Sequence, residues 1–185
     1  KRIMLPDTLG LLSPNEVRNF FDLIVGKFPT THFDFHAHND YDLSVANVLE
    51  AINHGASGIH TTINGLGERA GNAPLESVVA VIKDFTDFDI GIQEQKIYRV
   101  SMLVEQFSGH HIPANKPVVG ENVFTQTAGI HADGDNKKNL YFNDLLPERF
   151  GRQRKYALGK TSGKANILKN LEELGISLEK IKRFV

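Results

Sequence analysis

The hydrophobic and polar positions at the start of the chain switch from a strand pattern to a helix pattern. The run RIMLPDT is apolar and ends in Pro-Asp-Thr, which predicts a strand that meets a loop near Thr8. In the next stretch, SPNEVRNFFDLIVGKF, apolar residues recur at helical spacing. Ser13 suits the N-cap, Pro14 the first helical position, and Glu16 completes a capping box. Gly26 is expected to end this helix.

The same alternation occurs twice more. THFDFHAH and SGIHTTING alternate with a period of two and predict strands. LSVANVLEAINHG and PLESVVAVIKDF carry apolar stripes at helical spacing and predict helices. Strand–helix units of about 30 residues imply parallel strands joined by right-handed crossovers, so an α/β fold is expected. Three such strands leave open edges that demand a partner.

The pattern changes near residue 87. IQEQKIYRVSMLVEQFSG predicts one long amphipathic helix, and a loop-rich stretch punctuated by Gly, Pro and Asn follows it. KANILKNLEELG predicts a further helix that Gly175 ends, and SLEKIKRFV begins another. We therefore expect two parts, residues 1–86 and residues 87–185, of which the second is a helical linker with small subdomains.

Composition narrows the class of protein. The 185 residues are 41% hydrophobic and 23% charged, with a formal net charge of −1, so nothing points to a nucleic-acid or membrane partner. The absence of cysteine excludes a disulfide framework, a thiolate metal site and a cysteine nucleophile. It also agrees with a reducing, cytoplasmic setting, which is the expected location. No apolar stretch is long enough to cross a membrane, and the first residues are too polar for a signal peptide.

Two histidines close the second predicted strand. Residues two apart on a strand face the same way, so His36 and His38 project together while Phe33, Phe35 and Ala37 face the opposite side. Two imidazoles at one strand end can hold a divalent ion at about 2.0–2.2 Å per ligand. The alternative is a pair of unrelated polar residues at a strand end.

A glycine-rich loop, NGLGERAGN, follows the third predicted strand. Gly65, Gly67 and Gly71 allow tight turns and close approach to a ligand. Backbone N–H groups before the helix that starts near Pro74 predict a subsite for an anionic group such as a cofactor phosphate. An ordinary turn is the alternative. Asn72 offers an amide oxygen as a hard ligand, or it serves as an N-cap.

Four motifs in fixed order carry a resemblance to a known family. LPDTLG, HAHND, TINGLGERAGN and AGIHADG resemble the 2-isopropylmalate synthase family, among the metal-dependent Claisen-type synthases and lyases built on a TIM barrel. The resemblance implies that residues 1–86 are the last three strand–helix units of a (β/α)₈ TIM barrel. Residues 87–185 would then be small, mainly helical subdomains that include a dimerisation region.

The resemblance also implies roles for single residues. His36 and His38 match the metal-binding histidines, and Asn72 matches an asparagine at or near the metal, which would be zinc, manganese or magnesium. Thr8 matches a threonine that contacts the carboxylate of the 2-oxo acid. His131 matches a catalytic histidine that the family inserts into the neighbouring subunit of a homodimer.

Two positions depart from the family pattern. Tyr141 resembles a catalytic tyrosine downstream of the histidine, but its spacing is one residue short. Asp42, in HNDYD, stands where the family commonly has glycine. An Arg-Asp pair and a glutamate of the family's early strands have no counterpart. We therefore expect a C-terminal piece of a larger synthase, or a chain that pairs with another polypeptide, and no synthase activity from the isolated chain.

The implied reaction condenses acetyl-CoA with a 2-oxo acid, first 2-oxoisovalerate, giving 2-isopropylmalate in leucine biosynthesis. Citramalate and homocitrate synthases are the close alternatives. The motif GERAGN suits 2-isopropylmalate and citramalate synthases better than it suits homocitrate synthase. A lyase that uses a catalytic cysteine is disfavoured. A different class remains open: a non-catalytic dimerisation or regulatory fragment. His60, predicted to point into the barrel, is the doubtful one among the histidines assigned no role.

Overall fold

The structure is a computed structural model that describes residues 1–126, 143–159 and 162–176. The described chain divides into two compact units. The first comprises residues 1–112 and 117–119, and the second comprises residues 113–116 and the described residues from 120 onward. No helix among the described residues is long and apolar enough to cross a membrane.

The first unit alternates strands and helices in the predicted order. Its elements are β1 (Arg2–Asp7), α1 (Pro14–Lys27), β2 (His32–Ala37), α2 (Ser44–Asn53), β3 (Gly58–His60), a 3₁₀ turn (Ile63–Gly65), α3 (Leu75–Phe85), a second 3₁₀ turn (Glu94–Lys96) and α4 (Ile97–Ser108). The strands form a parallel sheet in the order β1-β2-β3. The predicted α/β fold with parallel strands is confirmed. That these are the last units of a barrel stays a prediction.

Local boundaries differ in two places. The Ser13–Glu16 capping box is present, but α1 runs through Gly26 to Lys27, where the N–H of Phe28 bonds Ile24. β3 is shorter than the alternation predicted, because the chain turns into a 3₁₀ helix directly after Thr62. The N–H of Thr62 bonds a carbonyl of the loop that returns towards α3.

The hydrophobic core lies between one face of the sheet and helices α1 to α3. Phe33, Phe35 and Ala37 are buried, as the strand alternation predicted. The rings of Phe21 and Phe35 meet edge to face with centroids 5.5 Å apart. Burial of each such side chain contributes about 1.5–3 kcal/mol. This packing fixes β2, and therefore fixes which face its histidines occupy.

The opposite face of the sheet is polar. Asp34 is buried there, and Arg2 donates to both of its carboxylate oxygens, with Nη2 to Oδ1 at 3.1 Å. Nε2 of His32 lies 3.0 Å from Oδ1. The hydrogen bond from Arg2 lowers the pKa of Asp34 below its ordinary value, against the opposing effect of burial. Among the described residues, β1 and β3 each pair with β2 alone, so the sheet is open at both edges.

The first unit continues beyond residue 86, the boundary expected from the change of pattern. The amide of Asn64 donates to the carbonyl of Ser101 at 2.9 Å, and the Ser101 hydroxyl donates back to Asn64. Lys83 and Glu94 form an ion pair at 2.7 Å. These contacts anchor α4, which is shorter than predicted because a 3₁₀ turn precedes it. The assignment of residues 1–86 to a barrel and 87–185 to a linker with subdomains stays a prediction.

The second unit contains both strand and helix. Its elements are β4 (Thr125–Gln126), a 3₁₀ turn (Pro147–Phe150), β5 (Lys155–Tyr156) and α5 (Lys164–Glu173), with β4 and β5 parallel. Phe150 is fully buried and stacks on Phe124, with centroids 6.2 Å apart. The guanidinium of Arg152 lies 5.0 Å from the Phe124 ring. The described part of this unit therefore combines short strands with one helix, and the helix predicted from residue 177 lies outside the described residues.

Candidate active site

Three loops meet where the parallel strands end. His38 and Asn72 form an isolated antiparallel bridge between the loops that follow β2 and β3. The N–H of Asn39 donates to the carbonyl of Gly71 at 3.0 Å, which adds a second contact between the same two loops. The N–H of His38 reaches Asp7, the last residue of β1, at 3.4 Å. The fold therefore gathers the predicted metal ligands at one edge, the carboxyl end of the strands, where α/β proteins build their sites.

The two predicted histidine ligands lie side by side. The rings of His36 and His38 have centroids 5.1 Å apart and an interplanar angle of 75°. His60, opposite His36 in the sheet, brings a third ring to 5.7 Å from His36. Burial lowers the pKa of His36, and the neighbouring His38 and His60 lower it further. A lowered pKa favours neutral imidazole, the form that binds a metal ion.

Two buried polar atoms on the bridged residues His38 and Asn72 have no hydrogen-bond partner. They are Nδ1 of His38 and Oδ1 of Asn72. Leaving such an atom unsatisfied costs about 1–3 kcal/mol, and both atoms carry lone pairs that can bind a cation. The amide nitrogen of Asn72 donates to Leu66 at 3.1 Å, which holds the side chain in place. The donor set therefore fits a divalent ion.

Asn72 does not cap the following helix. α3 begins at Leu75, and its N-cap residue is Pro74. The capping alternative is therefore wrong for Asn72, and its amide oxygen has no hydrogen-bond partner.

The set of ligands is incomplete within the described residues. Across them, no group of three or more His, Cys, Asp or Glu side chains is arranged to hold a metal ion. Two imidazoles and one amide are neutral donors, and hard divalent ions usually also take a carboxylate. A charged ligand would have to come from elsewhere, as the resemblance implies.

The glycines of the loop serve to close it around Asn72. Gly71 has a φ of 86°, and a Cβ there would overlap the carbonyl oxygen of Gly65. A Cβ on Gly67 would overlap the amide of Asn72. The N–H groups of Gly65 and Gly71 donate to backbone carbonyls of Thr62 and Glu68 at 3.2 and 2.8 Å. A cofactor-binding role for Gly65, Gly67 and Gly71 stays a prediction.

One residue of this site escaped the sequence analysis. Arg69 pairs with Asp40 through Nε and Nη2, at 2.8 and 2.9 Å. Nη2 also donates to the carbonyl of Thr8 at 2.7 Å. This ion pair lowers the pKa of Asp40. The contacts link residues that are far apart in the chain, so no local pattern signalled them.

The remaining predicted residues divide into two groups. Thr8 is exposed at the end of β1, and nothing in the structure tests its contact with a substrate carboxylate. His131 and Tyr141 lie outside the described residues. Asp42 has a φ of 59°, a left-handed conformation that glycine adopts most readily, which accounts for the family's common glycine at this position.

Comparison with known families covers most of the chain. The family described as HMGL-like matches residues 1–104, and the family described as homocitrate synthase post-HMGL domain-like matches residues 118–183. The homocitrate synthase of Sulfurisphaera tokodaii is 40% identical over 98% of this chain and 39% of its own length. The probable 2-isopropylmalate synthase of Methanopyrus kandleri is 40% identical over 96% of this chain and 35% of its own length. The chain thus spans well under half the length of these curated relatives.

Solved structures agree with the fold. An HMG-CoA lyase from Acenitobacter baumannii, in complex with coenzyme A and 3-methylmalate, is 26% identical, with a TM-score of 0.51 over 60% of this chain and 38% of the lyase. The HMG-CoA lyase of Bacillis subtilis is 23% identical, with a TM-score of 0.55 over 60% of this chain and 39% of the lyase, and shows a likeness of fold alone. The resemblance to the family of Claisen-type synthases that includes the 2-isopropylmalate synthases is confirmed. The chain belongs to the HMGL-like family.

Proposed function

We propose that the protein carrying this chain is a Claisen-type synthase, which condenses acetyl-CoA with a 2-oxo acid. The observation that supports this most strongly is the pair of unsatisfied buried atoms on the bridged residues His38 and Asn72, with the His36 ring 5.1 Å from the His38 ring. Two relatives, one named homocitrate synthase and one named probable 2-isopropylmalate synthase, are each 40% identical to this chain and support the same reaction class.

The residues at the strand ends bind and orient the 2-oxo acid. His36, His38 and Asn72 would hold a divalent ion, which supplies Lewis acidity to the keto oxygen when bound. Thr8, at the end of the neighbouring strand, would contact the carboxylate of the 2-oxo acid. Such positioning holds the keto carbon where the acetyl methyl carbon can attack it.

In this proposal, proton transfer is carried out by residues of the stretch 87–185. The acetyl methyl group loses a proton, its carbon bonds to the keto carbon as the keto π bond opens, and the keto oxygen takes up a proton. Water then cleaves the thioester to a carboxylate and releases CoA thiol. His131 would move a proton in this sequence, because imidazole titrates near neutral pH, and Tyr141 would assist it. In this proposal His131 acts in the active site of the neighbouring subunit of a homodimer.

The preferred substrate is 2-oxoisovalerate, with 2-oxoglutarate as the second candidate. 2-Oxoglutarate carries a second carboxylate, which a site must neutralise, whereas the isopropyl group of 2-oxoisovalerate needs only apolar surface. Histidines aside, Arg69 is the only cationic residue in the described loops that follow β1, β2 and β3, and it is committed to Asp40 and Thr8. Because some relatives are named homocitrate synthase, 2-oxoglutarate is also to be assayed as a substrate.

Release of CoA thiol by the native protein that carries these 185 residues tests the proposal. We expect release with 2-oxoisovalerate to exceed that with pyruvate or 2-oxoglutarate. The variant His38→Ala should lose activity by on the order of 100-fold. His111→Ala is the matched control, because that side chain is 95% exposed and should leave activity unchanged. Failure of every 2-oxo acid to stimulate release would overturn the proposal and favour a non-catalytic dimerisation or regulatory role.

The homodimer is tested by mixing two inactive variants. His38→Ala would remove a metal ligand and inactivate the site of its own subunit, and His131→Ala would remove the residue donated to the other. After subunit exchange, an equimolar mixture of the two variants should regain up to about a quarter of the wild-type active sites if His131 acts across the interface, because about half of the dimers are mixed and each mixed dimer contains one intact site. No recovery after subunit exchange would show that His131 acts within its own subunit.

A further inference from the structure

One side chain ties together the loops that follow all three strands. Arg69 belongs to the loop after β3, and it reaches Asp40 after β2 through Nε and Nη2 at 2.8 and 2.9 Å. The same Nη2 donates to the backbone carbonyl of Thr8, after β1, at 2.7 Å. A planar guanidinium can make these bonds at once, whereas an ammonium group has no matching fork of donors.

The backbone around this contact is built to allow it. Arg69 has a φ of 56°, a left-handed conformation that is uncommon for a residue with a side chain. Gly10 has a φ of 61°, and a Cβ there would lie only 2.9 Å from Oδ2 of Asp40. Two special conformations therefore converge on the Arg69–Asp40 pair, which points to a specific placement rather than a chance surface contact.

An arginine in a glycine-rich loop invites a role in phosphate binding. Here the guanidinium is already occupied: Nε and Nη2 bind Asp40 and Thr8, and Nη1 faces Glu68 at 3.9 Å. An incoming phosphate would have to displace a carboxylate with bidentate geometry. The contacts therefore favour an internal structural partner over an external anion.

We propose that Arg69 is a positioning residue, which fixes Thr8 relative to the loop of His38 and so sets where the carboxylate of the 2-oxo acid lies with respect to its keto group. This inference rests on the proposed function. It predicts that Arg69 affects the binding of the 2-oxo acid and leaves the binding of acetyl-CoA largely alone.

Steady-state kinetics of the native enzyme separate the two roles. In Arg69→Ala we expect KM for the 2-oxo acid to rise about 10-fold while KM for acetyl-CoA changes less than about 2-fold. Asp40→Ala should give the same split, and the double variant should be no worse than either single one, because both act through one contact. Added guanidinium ion should partly restore Arg69→Ala and should not restore the double variant.

The chain offers a matched control in Arg18. It forms the same two-point pair with Glu50, at 3.0 and 3.3 Å, between helices α1 and α2 and away from the strand ends. Arg18→Ala removes a similarly exposed ion pair and should leave both KM values unchanged. A general loss of stability would therefore affect both arginine variants, whereas a positioning effect would appear only in Arg69→Ala.

Backbone hydrogen exchange provides a readout that needs no activity. Residues 8–12 should exchange faster in Arg69→Ala than in wild type or Arg18→Ala. Three results for Arg69→Ala would each overturn the inference. They are a selective rise in KM for acetyl-CoA, an unchanged KM for the 2-oxo acid, and a loss of activity that guanidinium ion does not restore. If the wild-type protein condenses no 2-oxo acid, the proposed function fails, and exchange then decides alone: unchanged rates at residues 8–12 would overturn the role of Arg69.

Discussion

His38 and Asn72 face each other across an isolated antiparallel bridge, and each buries one polar side-chain atom that has no hydrogen-bond partner. Buried polar atoms are nearly always paired, so two such atoms on facing residues require an explanation. A divalent ion between the β2 histidines and the loop amide would satisfy both. This relationship joins the packing of the glycine-rich loop to the proposed chemistry.

The first prediction concerns the closure of that loop. Gly71→Ala should destabilise the protein and abolish metal binding, because its φ of 86° and the adjacent Gly65 carbonyl leave no room for a Cβ. Gly26→Ala is the control, since Gly26 lies within α1 and a methyl group added there would meet no heavy atom within 4 Å. It should stabilise the helix by roughly 0.5–1 kcal/mol. Thermal unfolding and metal titration measure both, and normal metal binding by Gly71→Ala would contradict the account.

The second prediction concerns the core that holds β2. Phe35 is 2% exposed and packs edge to face on Phe21, so Phe35→Ala should lower the free energy of unfolding by about 3–5 kcal/mol. Phe107 is 83% exposed, and Phe107→Ala should change the free energy of unfolding by less than about 0.5 kcal/mol. Urea unfolding followed by circular dichroism measures both variants. Equal effects would show that β2 is not anchored as described.

The third prediction concerns acid stability. The hydrogen bond from Arg2 lowers the pKa of Asp34 in the folded state, so the unfolded state binds more protons in this range. The stability that Asp34 contributes is present above the ordinary aspartate pKa of about 3.9 and is lost as the pH falls through the lower folded value. Asp34→Asn should therefore be less stable at neutral pH and lose less on acidification. The urea midpoints of the wild type and of Asp34→Asn, measured between about pH 7 and pH 3, test this. Midpoints that fall in parallel with pH in the two proteins would refute it.

Much of the fold follows from local patterns. The alternation of Phe33, Phe35 and Ala37 with polar residues predicts both the strand and its buried face. Ser13 and Glu16 predict the start of α1. These features depend on neighbours within a few residues, and the sequence displays them directly.

Contacts between residues far apart in the chain could not be predicted from local patterns. The first unit extends past residue 86 because Asn64 bonds Ser101, and no local signal links those positions. Arg69 went unnoticed because its partners, Asp40 and Thr8, lie on other loops. His36, His38 and Asn72 were predicted from the strand alternation, the glycine-rich loop and the order of the motifs, but the unsatisfied atoms on His38 and Asn72 are visible only in three dimensions.

The most direct test of the central claim is X-ray absorption spectroscopy of the zinc-loaded native protein. The spectrum should contain two imidazole ligands at about 2.0–2.1 Å. In His38→Ala one imidazole should remain, and in His111→Ala both should remain, since the His111 side chain is 95% exposed. Two imidazoles in the spectrum of His38→Ala, or none in the wild-type protein, would contradict the assignment of His36 and His38 as joint ligands.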